Sequence, residues 1–481
     1  MALTSARRLV ELLTDVADDR PPRYVALASR VRLLVSDGRL PVGTQLPAER
    51  DLAVALGLSR TTVSAAYARL REDGWADARQ GAGTWTVLPT GRSHPPWAPS
   101  APGSGLDLVH AAPSAPPEVA AAFSSALAEL PRALSSHGYV PGGLPELRQL
   151  IAERYTARGL PTTAAHVLIT GGAMAALSLV VDELLRRGDR LLVEHPTYPN
   201  ALDLARHRGL RVVPVAVPDD DPAGFVDAVN RTAAELRPAA AYLMPDFSNP
   251  AGQLLGTDHR RRLASGLRRA GTIAVVDETL VDLDLNPVGA PAAPYALFDP
   301  GAITLGTLSK AVWGGLRIGW LRAEPDVIRR LSSAATRSQL SLPVVEQLAA
   351  CHLLGAPQEV LAGRRNARRR RRDVLRAALQ HHLPHWDVPC PGGGLVLWCG
   401  VPSGRSSAIA VAAEREGLLL AAGPRFGTGH AFEDRMRLPF TLPEPELLRA
   451  VGLLAAADAE ATSTRRRAAA GARTALAAPL I

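Results

Sequence analysis

A chain of 481 residues, 47% of them hydrophobic, is long enough for roughly three globular units and too apolar for a disordered polymer. No stretch approaches about 18 consecutive apolar residues, and Arg7-Arg8 are not followed by a signal-peptide core, so a cytoplasmic chain without membrane spans is expected. Cys351, Cys390 and Cys399 form no metal-site or redox spacing, and an odd count argues against a disulfide framework.

Residues 1–87 form a first module. Their 12 arginines face 10 acids, so most of the formal charge of +8 lies elsewhere. From Tyr24 to Val87 the pattern predicts three helices and a small hairpin. Leu27, Val31, Leu34 and Val35 make one apolar stripe, and Leu52, Ala53 and Leu56 a second. Val63, Ala66, Tyr67 and Leu70 follow the helical spacing i, i+3, i+4, i+7. Pro47 suits a helix start and Ser59 can cap the third helix. Only Gly57-Leu58 separate helices two and three, the short connection of a helix-turn-helix.

The third helix opens with Arg60-Thr61-Thr62, polar and away from its apolar stripe, and the first turn of a recognition helix is what reaches base edges. Gln80 to Trp85 then makes a tight glycine turn suited to a wing. Taken singly, Arg50 or Arg60 reads as a solvated arginine. The composite run from Leu46-Pro47-Ala48-Glu49-Arg50-Asp51-Leu52-Ala53 through Gly81-Ala82-Gly83-Thr84 closely resembles the GntR-type winged helix of bacterial regulators. That resemblance implies DNA contact by Arg50, Arg60, Thr61, Thr62, Gly81 and Gly83.

Residues 88–106, with Pro95-Pro96-Trp97-Ala98-Pro99, read as a semi-rigid linker. A second module is expected over 107–460, with a disordered, arginine- and alanine-rich tail over 461–481. Within it, Ile169 to Leu177 reads as strand, glycine turn and helix, which points backbone N–H groups such as those of Ala173 and Met174 at an anion. Ile273-Ala274-Val275-Val276-Asp277-Glu278 reads as a buried strand ending in acid. Lys310 is the only lysine among 54 basic residues. Arginine stays protonated and cannot condense with an aldehyde, whereas a lysine amine can, so Lys310 is a candidate catalytic or cofactor residue. Around it, Thr307 and Ser309 offer hydroxyls and Arg317 a bidentate fork for a phosphate. Seven arginines between Arg364 and Asp373 read equally well as a solvated helix face or a phosphate-tracking patch.

The Lys310 segment resembles the cofactor-lysine signature of fold-type I pyridoxal-phosphate (PLP) enzymes of the class I aminotransferase branch. Six further motifs resemble that family in its order. The resemblance implies that Lys310 bonds PLP covalently, that Thr307, Ser309 and Arg317 grip its phosphate, and that Tyr198 stacks on the pyridine. It further implies that Asn249 of Asn249-Pro250-Ala251-Gly252 bonds the ring hydroxyl and Asp277 pairs with the ring nitrogen. Arg437 would bind a substrate or effector carboxylate, and Tyr139 would reach a partner subunit's phosphate, hence a homodimer. One departure stands out: the family's tyrosine two or three residues after the aspartate is replaced here by Thr279 and Leu280.

The expected fold is therefore α/β: an N-terminal winged helix-turn-helix plus a PLP-dependent transferase (fold-type I) domain with large and small lobes. A GntR-type head joined to such a domain resembles the MocR family of transcription regulators. In that family, chains pair head to tail with each winged helix over the partner's large domain. The implied protein is a dimeric regulator that binds double-stranded DNA and responds to PLP or to an amine or amino-acid effector, with at most residual aminotransferase activity. The rival expectation is a working aminotransferase with a vestigial DNA-binding head.

Overall fold

The computed structural model describes residues 4–13, 22–79, 83–89, 105–286, 292–355, 357–402, 404–429 and 431–476. Its head begins with a helix that sequence periodicity does not reveal, α1 (Ala6–Val10), capped by the Ser5 hydroxyl, which accepts from the Arg8 amide at 3.1 Å. Helices α2 (Arg23–Ser36), α3 (Glu49–Leu56) and α4 (Arg60–Glu72) come next, then a hairpin of β1 (Ala76–Arg79) and β2 (Gly83–Thr86). Three predicted stripes close on one core containing Leu27, Val31, Leu34, Leu52, Val63, Tyr67 and Leu70, which Leu9 and Trp75 complete. Gly57 ends α3 at φ +64°, a conformation glycine adopts without strain. Pro47 lies outside α3, before its N-cap residue Ala48, and its carbonyl accepts from the Tyr67 hydroxyl at 2.9 Å.

After the linker come β3 (Leu106–Leu108), α5 (Pro117–Ala133), α6 (Pro145–Ala157), β4 (Val167–Thr170), α7 (Ala173–Leu184), β5 (Arg190–His195), α8 (Pro199–His207) and β6 (Arg211–Ala216). The chain continues through α9 (Pro222–Leu236), β7 (Ala240–Leu243), α10 (Thr257–Ala270), β8 (Ile273–Asp277), β9 (Ile303–Thr307), β10 (Gly319–Arg322), α11 (Pro325–Gln339) and α12 (Val344–Gly355). Seven of these strands form the large-lobe sheet in the order β4-β10-β9-β8-β7-β5-β6, parallel except for β10. Separate apolar clusters cover its two faces, which is why β4, β7 and β9 are buried at every position rather than alternating.

The small lobe contains α13 (Pro357–His382), β11 (Val396–Gly400), α14 (Ser406–Arg415), β12 (Leu418–Ala422), β13 (Arg435–Pro439) and α15 (Glu444–Leu476). Its sheet runs β11-β13-β12-β3, so Leu106, assigned to the linker by sequence, is already a strand residue. Gly105 precedes it at φ +114°, where a Cβ would lie 2.4 Å from the Gly417 carbonyl oxygen. A second correction concerns the tail, because α15 continues through residues 461–476 where disorder was expected. Alanine and arginine are strong helix formers, and a helix already nucleated on the small-lobe core extends through them cheaply.

A third correction concerns the arginine run, which lies on α13. Arg368 and Arg372 are buried, and five of the seven side chains donate to backbone carbonyls. Arg364 reaches Ser114, Arg365 Asp284, Arg368 Ala311, Arg371 Thr441 and Arg372 Pro391. Those five are tied to the body's own backbone rather than forming a solvated face, while Arg369 and Arg370 remain exposed. The head rests on its own chain's small lobe, where Arg32 of α2 meets Glu414 of α14 at 3.2 Å. Among the described residues, no helix is long and apolar enough to cross a membrane.

Candidate cofactor and DNA-binding sites

Parallel strands aim their C-terminal ends at one crevice, the usual ligand position in an open α/β sheet. Thr307 ends β9 and Asp277 ends β8, with Lys310 just beyond. The Asp277 carboxylate is buried and held from two sides: the Tyr242 hydroxyl donates to it at 2.5 Å and the Thr279 amide at 2.9 Å. Burial pushes its pKa above the ordinary carboxylate range, opposed by those hydrogen bonds and by the charge of Lys310. Lys310 is shifted the other way, pulled down to about 8 by burial and by Arg437, with Asp277 resisting. Its amine is therefore more readily deprotonated, and hence nucleophilic, than a surface lysine. Its Nζ donates to the Ala111 carbonyl at 2.9 Å.

Arg437 on β13 is buried, 4.7 Å above the Phe426 ring, and donates to Asn249 Oδ1 at 3.4 Å and to the Val109 carbonyl. Burial pulls its guanidinium down to about 10. Tyr198 lies just past the end of β5, half-buried, and its phenol pKa is raised by burial and then by Asp277. Thus Lys310, Asp277, Asn249, Tyr198 and Arg437 are brought to one place.

An anion cradle adjoins them. Helix α7 starts behind Gly172, which offers no capping side chain, so the first-turn amides of Ala173 and Met174 need a partner from elsewhere. Arg317 Nη2 donates to the Gly171 carbonyl at 2.6 Å, and the Thr307 hydroxyl lies 3.0 Å from that of Ser309. A Cβ on Gly319 would stand 2.6 Å from the Gly172 carbonyl carbon, so only glycine permits this close approach of β10 to the turn. Uncapped amides, two hydroxyls and a guanidinium suit a phosphate group.

Two residues of the site are given no role by the sequence motifs. Tyr242, a lone phenol in the buried strand β7, is spent on Asp277. Glu194 is also buried: its Oε1 accepts from the Met244 amide at 2.7 Å, and burial, then Asp277, raise its pKa to about 8. For Tyr242 the available signal was a phenol in an otherwise apolar strand, and for Glu194 an acid directly after the apolar run Leu191 to Val193. Leu280 packs with Phe247, Leu283, Leu395 and Val396, so an apolar side chain stands near where the family's tyrosine was expected. Tyr139 is 57% exposed beside His137 and joins none of these contacts.

In the head, the Ser59 hydroxyl caps α4 by accepting from the Thr62 amide at 3.1 Å. Its oxygen also lies 2.8 Å from the Thr61 hydroxyl. Arg60 and Thr61 are exposed on that first turn, Thr62 is partly so, and Arg50 is exposed on α3. Gly83 opens β2 at the base of the wing, whereas Gly81 lies outside the described residues.

The family model for aminotransferase class I and II matches residues 110–454, and that for bacterial regulatory proteins of the gntR family matches residues 23–85. The HTH-type transcriptional regulator YdfD of Bacillus subtilis is 25% identical over 84% of this chain and 89% of its own. An arginine–pyruvate transaminase of Pseudomonas aeruginosa is 32% identical over 71% of this chain and 86% of its own. Among solved structures, the alpha-aminoadipate aminotransferase LysN of Thermus thermophilus, complexed with N-(5'-phosphopyridoxyl)-L-leucine, matches with a TM-score of 0.67 at 27% identity. That match covers 75% of this chain and 94% of LysN. Fold and head together define a DNA-binding transcription regulator built on an aminotransferase-type body. The chain belongs to the aminotransferase class I and II family, whose members are PLP-dependent, and carries a GntR-type head in the arrangement of the MocR-type regulators.

Proposed function

We propose that this regulator binds PLP at Lys310 and couples occupancy of that site, by PLP itself or by an amine or amino-acid effector, to DNA binding by its head. The observation that carries the reading is the chain's single lysine, drawn down in pKa beside a buried aspartate, in a protein whose Arg60 and Thr61 stand exposed on a recognition helix. The cofactor's phosphate would be held by the Ala173 and Met174 amides with Thr307, Ser309 and Arg317. Its ring would be held by Tyr198, Asn249 and Asp277. PLP supplies an aldehyde that condenses with amines and a ring that withdraws electrons.

The protein's own groups decide how far the chemistry goes. With PLP bound, Asp277, fixed by Tyr242 and Thr279, would hold a proton on the ring nitrogen. The Lys310 amine would be available as a base, and Arg437 would orient a carboxylate. Among the described residues no hydroxyl takes the place of the family's tyrosine on the ring oxygen, since Thr279 is too short and already bonded to Asp277, Leu280 has no donor, and the Tyr242 hydroxyl is spent on Asp277. The site therefore favours binding over turnover. Apart from Leu106, which belongs to the body's sheet, the domain limits proposed are 1–87, 88–106 and 107–460, and the chain is proposed to act in the cytoplasm as a homodimer, with Tyr139 reaching the partner's phosphate.

Borohydride reduction of the purified protein, followed by peptide mapping, tests the cofactor half. The adduct should map to Lys310, and an adduct found on no residue would refute it. The second reading, a working aminotransferase, draws support from the likeness to the Pseudomonas transaminase. Steady-state keto-acid production without operator binding would decide for it.

A further inference from the structure

The arginines of α13 divide into two stripes. Arg364, Arg368 and Arg371, spaced i, i+4, i+7, share one helix face and line a cavity of about 250 Å3 with Ser114, Pro116 and Phe440. That volume is far above the ~10–15 Å3 one water needs. Each guanidinium gives part of its donor set to a carbonyl: Ser114 for Arg364, Ala311 for Arg368 and Thr441 for Arg371. Carbonyls satisfy N–H groups but neutralise no charge. Among the described residues no carboxylate forms an ion pair with any of the three; the acids that bear on them, Glu118 and Asp282, act only at longer range.

Two buried guanidinium nitrogens remain without a partner. Arg368 is 5% exposed, and its buried Nε has no hydrogen-bond partner; the same holds for the buried Nη1 of Arg364. A guanidinium has five donors, and leaving one desolvated without an acceptor is unfavourable. Burial and the like charge of Arg364 pull the Arg368 pKa down to about 10, a sign of cations crowded without counter-charge. The N-terminus of α5 borders the same cavity, its N-cap Pro116 offering no capping side chain.

We propose that this cavity is a binding site for a small dianionic oxyanion, a phosphate group or a dicarboxylate, separate from the cofactor's phosphate cradle. The site does not depend on PLP being bound at Lys310. Its occupant would share Arg368 with the Lys310 backbone, because the guanidinium that faces the cavity also donates to the Lys310 carbonyl at 3.4 Å.

Calorimetric titration of the full-length protein with inorganic phosphate and, in parallel, with malonate, in chloride buffer of matched ionic strength, tests the site. Three proteins are compared: wild type, Arg317→Gln, which cripples the cofactor cradle, and Arg364→Gln/Arg371→Gln, with circular dichroism verifying each fold. Saturable binding should persist in Arg317→Gln and weaken about tenfold or more in the double variant, since each charge-assisted bond lost is worth ~1.5–3 kcal/mol. The tighter of the two anions names the ligand class. Absence of saturable binding of either anion in Arg317→Gln, or equal binding in the double variant and wild type, overturns the proposal. Because no PLP is added, failure of the cofactor reading would leave this outcome unaffected.

Discussion

The two ends of this chain make their functional sites in opposite ways. In the head, Arg50, Arg60 and Thr61 stand exposed, and Ser59, which bonds Thr61, is a neighbour on the same turn. In the body, Asp277, Arg437 and Glu194 are buried, and each is held by residues remote in sequence, such as Tyr242 and Asn249. An exposed site exchanges water contacts for DNA contacts and can lose one side chain without disturbing its fold. A buried site holds charges that must be answered by other charges, so each change shifts its neighbours.

The sharpest contrast is expected at Lys310. Lys310→Ala should abolish the covalent adduct and its absorbance while leaving the far-ultraviolet circular dichroism unchanged, because no other lysine can substitute. A variant absorbing like wild type would remove the body's site from the comparison altogether. Next in size is chemistry. Stopped-flow spectra should shift on adding an amine or amino-acid effector, with keto-acid release absent or several orders of magnitude below the ~10 s⁻¹ typical of enzymes. Turnover at an ordinary rate would show that the apolar environment of Leu280 does not restrain the site.

The head's independence can be tested by single substitutions. Arg60→Ala or Thr61→Ala should weaken operator binding by about 1–3 kcal/mol and binding to random DNA by little. Arg368→Gln, by contrast, should lower thermal stability without altering the slope of log K against log salt, because Arg368 is buried in the body and donates to the Ala311 carbonyl. A shallower slope for Arg368→Gln would restore the phosphate-tracking reading of α13.

The smallest effect concerns pH. Glu194 has a folded pKa of about 8, well above the ~4.3 of an exposed glutamate. The folded state therefore holds a proton that the unfolded state has lost, and stability should fall as pH rises between these values. Asp277, raised in the same direction, adds to the trend. Thermal unfolding from pH 5 to pH 8 should show a steeper decline for wild type than for Glu194→Gln, and parallel profiles would contradict the buried-acid account.

The same contrast explains what was legible in the sequence. Stripes such as Val63, Ala66, Tyr67 and Leu70 identify the head because helical periodicity is local, and Ser59 announces its cap. In the body, Ile273 to Asp277 was legible as a strand ending in acid, yet Tyr242 as its partner was not. That hydrogen bond spans 35 positions and depends on the pairing of β7 with β8. Likewise, composition alone could not resolve the α13 arginines, because their acceptors are backbone carbonyls scattered from Ser114 to Thr441. The extension of α15 was illegible for a different reason: a polar, alanine-rich segment has too little apolar surface to fold alone, but it can prolong a helix anchored elsewhere.

Protection of DNA upstream of the protein's own and neighbouring genes, measured with wild type and Lys310→Ala in the presence and absence of PLP, tests the coupling of body to head most directly. The account predicts an operator footprint whose strength or extent changes with PLP for wild type and not for Lys310→Ala. A footprint identical under all four conditions, or no footprint at all, would contradict it.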